Sequence, residues 1–259
     1  MNLYDNEENI IKSIQLVERR DINFVNPTLE SIKFFYSIYK EKKFKKWIKS
    51  FGKDVPPPDF YSDKYRYMLE VMRVDDFVAG NQSPNALESK RLKEIDDMFR
   101  ENGLPPHREL NIHIMINPNR TNVSENGYDI YIENFKRIVN KHSKKIKNYR
   151  NNHPGYKLGF LIFDESPGYF CVENRNIMVR CGEKIHGFPH FYFKDKKFVE
   201  SFMDEDLDFV IWVTPYKNLP QNPRIYPEIS IFDLKRKQIW KKHIVGYDSA
   251  NMVCLEAKE

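Results

Sequence analysis

Two carboxylates carry the most chemistry in this sequence. Asp59 sits in the run Pro58-Asp59-Phe60-Tyr61, and Glu70 lies among Met68, Leu69, Val71 and Met72. A carboxylate inside so apolar a strand loses its hydration, which is costly unless something compensates. A divalent cation is one such compensation, since it prefers hard oxygen donors. If the strand of Glu70 turns back on the Pro-Asp segment, the two acids come close, repel, and call for a cation between them. The plainer alternative is that Asp59 closes a turn while Glu70 pairs with Lys64, Arg66 or a distant base.

A second constellation is Cys171, Cys181, His186 and His190, residue types that zinc prefers. It lacks a Cys-x-x-Cys knuckle, and Gly187 and Pro189 forbid a helical His pair, so small core residues are the favoured reading. Asp164-Glu165 ends an apolar run, where a carboxylate often faces a site, yet turn formation with Ser166-Pro167-Gly168 explains it equally well. The chain contains no Walker A loop, no Gly-x-Gly-x-x-Gly, no Gly-x-Ser-x-Gly and no His-Glu-x-x-His. That disfavours P-loop ATPase, Rossmann dehydrogenase, α/β-hydrolase and zincin chemistry.

The elements that would position Asp59 and Glu70 follow from periodicity. Ile10, Ile11, Ile14 and Val17 share a helical stripe. A second stripe, opened by Asn26 as cap and Pro27 as first helical residue, runs from Leu29 to about residue 50, where Gly52 and Pro56-Pro57-Pro58 stop it. Residues 65–74 read as a strand, with 58–61 as its antiparallel partner across a turn at 62–64. A helix over 85–101 and a strand over 110–117 come next, then a long basic helix over 128–149. Strands at 156–164, 208–214 and 229–234, with a short helix over 198–203, complete the chain. The alternation predicts an α/β fold, a mixed β-sheet flanked by helices. The loop at 151–155 suggests a division into 1–150 and a C-terminal α/β extension over 151–259, continuous with the same sheet or apart from it.

Pro58-Asp59 followed by Glu70-Val71-Met72, with a helix before and a helix and strand after, resembles the PD-(D/E)XK nuclease superfamily over roughly residues 25–120. The resemblance implies a restriction-endonuclease-like core ordered helix, three antiparallel strands, helix, strand. It implies that Asp59 and Glu70 hold Mg²⁺ (or Mn²⁺) and that the chain hydrolyses nucleic acid, DNA ahead of RNA. Met72 stands where that family has Lys. Arg66 or Lys64, on the even-numbered face with Glu70, would replace it, and Lys90 or Lys93 is a further source. Glu30, with Glu18 as alternative, would supply the extra acid of many such enzymes. Met72 also admits a catalytically inactive relative that binds nucleic acid or a protein partner. An unrelated α/β interaction protein is the third reading.

Charge bears on the partner. The chain has 259 residues and a net charge of +5, but its bases are segregated. Seven fall in residues 40–53, seven in 136–150 without an acid, and five in 235–242 without an acid. Single blocks are usually solvated helix faces, while three suit a phosphate surface. The longest stretch without Asp, Glu, Lys or Arg is 11 residues, 77–87, too short for a membrane span. Three scattered cysteines suggest a reducing cytoplasm. These blocks predict nucleic-acid binding that weakens steeply with salt, since each phosphate contact releases counterions. Filter binding at 50 to 300 mM salt (about the range where such slopes show) checks it. Charge reversals within 141–150 are expected to weaken binding, and indifference to salt would refute the expectation.

Overall fold

The structure, a computed structural model, describes residues 6–51, 57–74, 127–172, 187–203, 206–218, 225–236 and 244–254. The expected helix at 85–101 and strand at 110–117, with Lys90 and Lys93, lie outside these residues, as do Cys181 and His186. In chain order the elements are α1 (Glu7–Leu16), β1 (Ile22–Phe24), α2 (Leu29–Tyr39), α3 (Glu41–Phe44), β2 (Ile48–Lys49), β3 (Phe60–Ser62) and β4 (Tyr67–Val74). They continue with α4 (Gly127–Ser143), α5 (Ile146–Asn152), β5 (Lys157–Asp164), β6 (Tyr169–Val172), β7 (Gly187–Pro189), α6 (Lys196–Met203), β8 (Phe209–Val213), β9 (Ile229–Asp233) and β10 (Met252–Cys254).

The fold is α/β. Seven strands form a mixed sheet in the order β1-β9-β8-β5-β4-β3-β2, and β10-β6-β7 form a small second sheet. Strands β2, β3 and β4 run antiparallel, β4, β5 and β8 run parallel, β9 is antiparallel to β8, and β1 lies parallel to β9. Strands from both sides of residue 150 share this sheet, with β4 and β5 paired along their full lengths. Among the described residues, no helix is long and apolar enough to cross a membrane.

Alternation along the central strands separates two cores. Met68, Met72, Leu158, Phe160, Ile162 and Trp212 face α4, α5 and α6. Leu69, Val71, Leu161, Phe163, Phe209 and Ile211 face α1 and α2. Strands covered on both faces are apolar almost throughout, as β5 and β8 are.

The N-terminal third departs from the sequence reading. The second helix starts from Thr28, whose side chain exchanges capping hydrogen bonds with Ser31, rather than from Asn26; the Asn26 side chain instead bridges to the backbone of Asp233. It ends at Lys40 in extended conformation, and a separate α3 and the edge strand β2 occupy the rest of the expected helix. Strand β1 falls between the two expected helical stripes, where no strand is expected. It forms because residues 22–24 pair with β9, 207 residues downstream, a contact that local pattern does not contain. The expected helix over 128–149 is broken at 144–145 into α4 and α5.

Gly159 is a point of close approach between the sheet and α2. A Cβ there would lie 2.2 Å from Phe34 Cζ, and Phe34 is itself stacked on Phe209 at 4.7 Å and edge-on to Tyr67 at 5.2 Å. Gly159→Ala is therefore expected to destabilise the fold by about 1–3 kcal/mol through overpacking. Urea unfolding measures it, and Phe34→Leu in the same chain should recover part of the loss. Additive losses would show that the clash is not the cause.

Candidate active site

The β3–β4 register sets Phe60 opposite Leu69 and so carries Asp59, one residue before the strand, opposite Glu70. Both lie on the face toward α4 and α5. The Asp59 backbone N–H donates to Glu70 Oε2 at 3.3 Å, and the Val71 N–H donates to Asp59 Oδ2 at 2.7 Å. Glu70 is only 2% exposed. Its other oxygen, Oε1, accepts from the Tyr149 hydroxyl at 2.7 Å and lies 2.6 Å from His142 Nδ1 and 3.6 Å from Lys145 Nζ. A carboxylate oxygen accepts only, so Nδ1 carries the hydrogen and Nε2 is left for another partner.

The end of α4, the junction and α5 supply these three groups. His142, Lys145 and Tyr149 follow an i, i+3, i+7 spacing that puts all three on the stripe facing the strand. Their flanks, Lys141, Lys144 and Lys147, point to solvent.

Electrostatics mark the pair. Burial first, and the Glu70 charge second, push the Asp59 carboxyl up to about 7; the Val71 N–H and Lys145 pull the other way. Burial and the Glu70 charge raise the Tyr149 phenol far above its ordinary value, so it remains a donor. Two facing acids outnumber the one ammonium beside them, the imbalance a cation would relieve. The described residues contain no group of three or more His, Cys, Asp or Glu side chains able to hold a metal. Two carboxylates nevertheless suit Mg²⁺, which commonly takes its remaining ligands from water and substrate. Among the described residues Asp59 Oδ1 accepts no hydrogen bond, and Glu70 Oε2 accepts from the Asp59 N–H alone.

Other residues singled out in the sequence lie elsewhere. Arg66 occupies the β3–β4 turn with φ 56°, and its guanidinium lies 5.6 Å from the Tyr156 ring and against Gly155. Lys64 is exposed in the same turn, 5.9 Å from the Tyr65 ring. Neither is brought to Glu70. Glu30 pairs with Lys157 on the opposite face of the sheet, and Glu18 pairs with Arg20 at 2.7 Å in the open. Met72 is buried in the apolar cluster under α4. Asp164 is held by Tyr131, by Trp212 Nε1 at 2.9 Å and by Lys217 at 3.3 Å, all buried. Glu165 forms a bidentate pair with Arg73. His190 Nε2 is engaged by Asp195 at 2.7 Å, and Cys171 is a free buried thiol.

His142 and Lys145 are the site residues that reading the sequence missed. The signal for them is their spacing with Tyr149 inside the basic block 136–150. No protein-family model, no curated protein and no solved structure matches this chain.

The raised Asp59 carboxyl has a definite consequence for stability. Between its unfolded value near 3.8 and about 7, the folded chain binds the extra proton, so stability falls as pH rises through that window. Asp59→Asn keeps an acceptor for the Val71 N–H and removes the repulsion. It is expected to stabilise the fold at pH 8, by no more than about 4 kcal/mol at ~1.4 kcal/mol per pKa unit. It should change little at pH 4. Urea midpoints at both pH values decide it; an equal shift at both would rule out the repulsion.

Proposed function

We propose that this protein is a divalent-cation-dependent phosphodiesterase of the PD-(D/E)XK nuclease kind, acting on nucleic acid, DNA ahead of RNA. The observation that carries the proposal is the placement of Lys145 3.6 Å from Glu70, across from Asp59. An acid–acid–base trio is thereby assembled although Met72 occupies the motif's basic position. The order of elements supports the same reading: α2, the antiparallel β2-β3-β4, α4, then β5 parallel to β4. The resemblance itself drew its helix and strand from 85–101 and 110–117, which lie outside the described residues.

In this proposal Asp59 and Glu70 would hold Mg²⁺ (or Mn²⁺). The cation supplies Lewis acidity and an activated water. Lys145 reaches from the α4–α5 junction to balance charge that develops on the scissile phosphate. His142 and Tyr149 hold Glu70 in one rotamer, and the exposed Lys141, Lys144 and Lys147 draw the phosphate backbone to the face. A second reading, a nuclease-like domain that binds nucleic acid or a protein partner without cleaving, is favoured by one fact. Glu70 Oε1 already has three donor groups around it, as a purely structural carboxylate would.

Cleavage of single- and double-stranded DNA and RNA with Mg²⁺, Mn²⁺ or EDTA separates the two. Glu70→Gln is expected to abolish turnover. Lys145→Ala should lower kcat by about 10²–10³-fold, the scale of losing one charge-stabilising donor, with Kd nearly unchanged. Arg66→Ala should leave both intact. Salt-sensitive binding without cleavage under any metal would establish the second reading.

A further inference from the structure

We infer that the face of the sheet opposite Glu70 carries a groove that binds single-stranded nucleic acid. The groove has a volume of about 760 Å³ and runs between α1 and α3, with Phe44, Trp47 and Phe60 at its base. Along one wall α1 contributes Glu8, Lys12 and Leu16, a helical stripe about 12 Å long at ~1.5 Å rise per residue. The other wall carries Lys40 and Lys45.

The charge is positive once pairs are set aside. Glu41 is matched by Lys45 at 3.0 Å, and Glu8 by Lys49 at 3.5 Å. Lys12 and Lys40 have no carboxylate partner among the described residues; Lys40 lies 5.2 Å from the Tyr39 ring. Lys42, Lys43 and Lys46 add exposed positive charge along α3. Phe44 is partly exposed and lies nearly parallel to Trp47, 27° apart. Lysines on both sides of the partly exposed Phe44 ring fit a strand whose phosphates face the walls and one of whose bases stacks on that ring, with Trp47 and Phe60 buried beneath it. A duplex has its bases already stacked on one another and offers the ring no free base face.

The groove also leads toward the carboxylate pair. Lys49, which closes one end, bridges Glu7 and Glu8, and the Glu7 charge acts on Asp59. Strand β2 pairs Lys49 with Phe60, the neighbour of Asp59. A strand seated along α1 would therefore pass over the sheet edge to the site. That destination rests on the phosphodiesterase reading; the binding does not.

The test is fluorescence anisotropy of labelled oligo-dT with the full chain in EDTA, so that cleavage plays no part. Lys12→Glu with Lys40→Glu is expected to weaken binding about tenfold or more and to reduce the salt slope by roughly one, at ~0.7 per phosphate contact. Phe44→Leu, which keeps apolar volume but removes the flat ring, should weaken binding without changing the slope. Lys196→Glu on distant α6 serves as the charge control and should have little effect. Urea midpoints confirm that each variant folds. The inference is overturned if the groove variants bind oligo-dT as the parent does, if duplex binds the groove as tightly, or if poly-glutamate displaces oligo-dT as well as unlabelled oligo-dT. The last result would instead assign the groove to an acidic protein. Groove variants that lose oligo-dT while a chain without nuclease activity still binds it would uphold the groove and defeat only the enzymatic reading.

Discussion

Burial of the Glu70 carboxylate is the constraint around which this half of the molecule is organised. The residue is 2% exposed and sits in a strand flanked on both sides by other strands. A charge so placed is tolerated only when hydrogen-bonded and paired, because the loss of hydration otherwise exceeds what the fold can supply. The chain meets this demand from three directions. Asp59 donates its backbone N–H, Tyr149 its hydroxyl and His142 its ring N–H, with Lys145 near. Residues 142, 145 and 149 reach the strand from the two sides of the 144–145 break, while Ile146 remains in the core.

The same constraint makes the site asymmetric. Lys145 serves Glu70 directly and Asp59 only at longer range, where its effect is outweighed by burial and by Glu70 itself. The structure thus holds one well-satisfied acid beside one strained one. Strained, desolvated acids are where ligands gain most from binding, since a cation or a proton relieves the repulsion on arrival.

Two other clusters of buried polar groups are matched within the chain. Asp164 and Lys217 sit among Tyr131, Trp212 and Ser166, and Lys217 Nζ donates to Ser166 Oγ at 2.7 Å. Asp195 is satisfied by Tyr128, His190 and the Lys197 N–H at 2.9 Å, and burial lowers the His190 pKa even though Asp195 opposes the shift. Such closed networks fix how α4, the second sheet and α6 pack together. They contrast with the pair at Asp59, whose remaining oxygen accepts no hydrogen bond among the described residues.

By itself the sequence determined the hairpin that joins Asp59 to Glu70, because turn residues and strand alternation are short-range signals. The apolar runs of β5, β8 and β9 were legible for the same reason. The sequence also showed that Glu70 needed a partner, but not which one. His142 and Tyr149 lie 72 and 79 residues away, and only packing of α4 and α5 against β4 brings them there. Arg66, adjacent in sequence and on the expected face, is turned aside by its left-handed backbone and its stacking on Tyr156. Strand β1 and the split of the second helix at Lys40 were likewise settled by pairing with β9 and β3, interactions with no local trace. Local physics specifies which side chains are short of partners; the tertiary structure decides who the partners are.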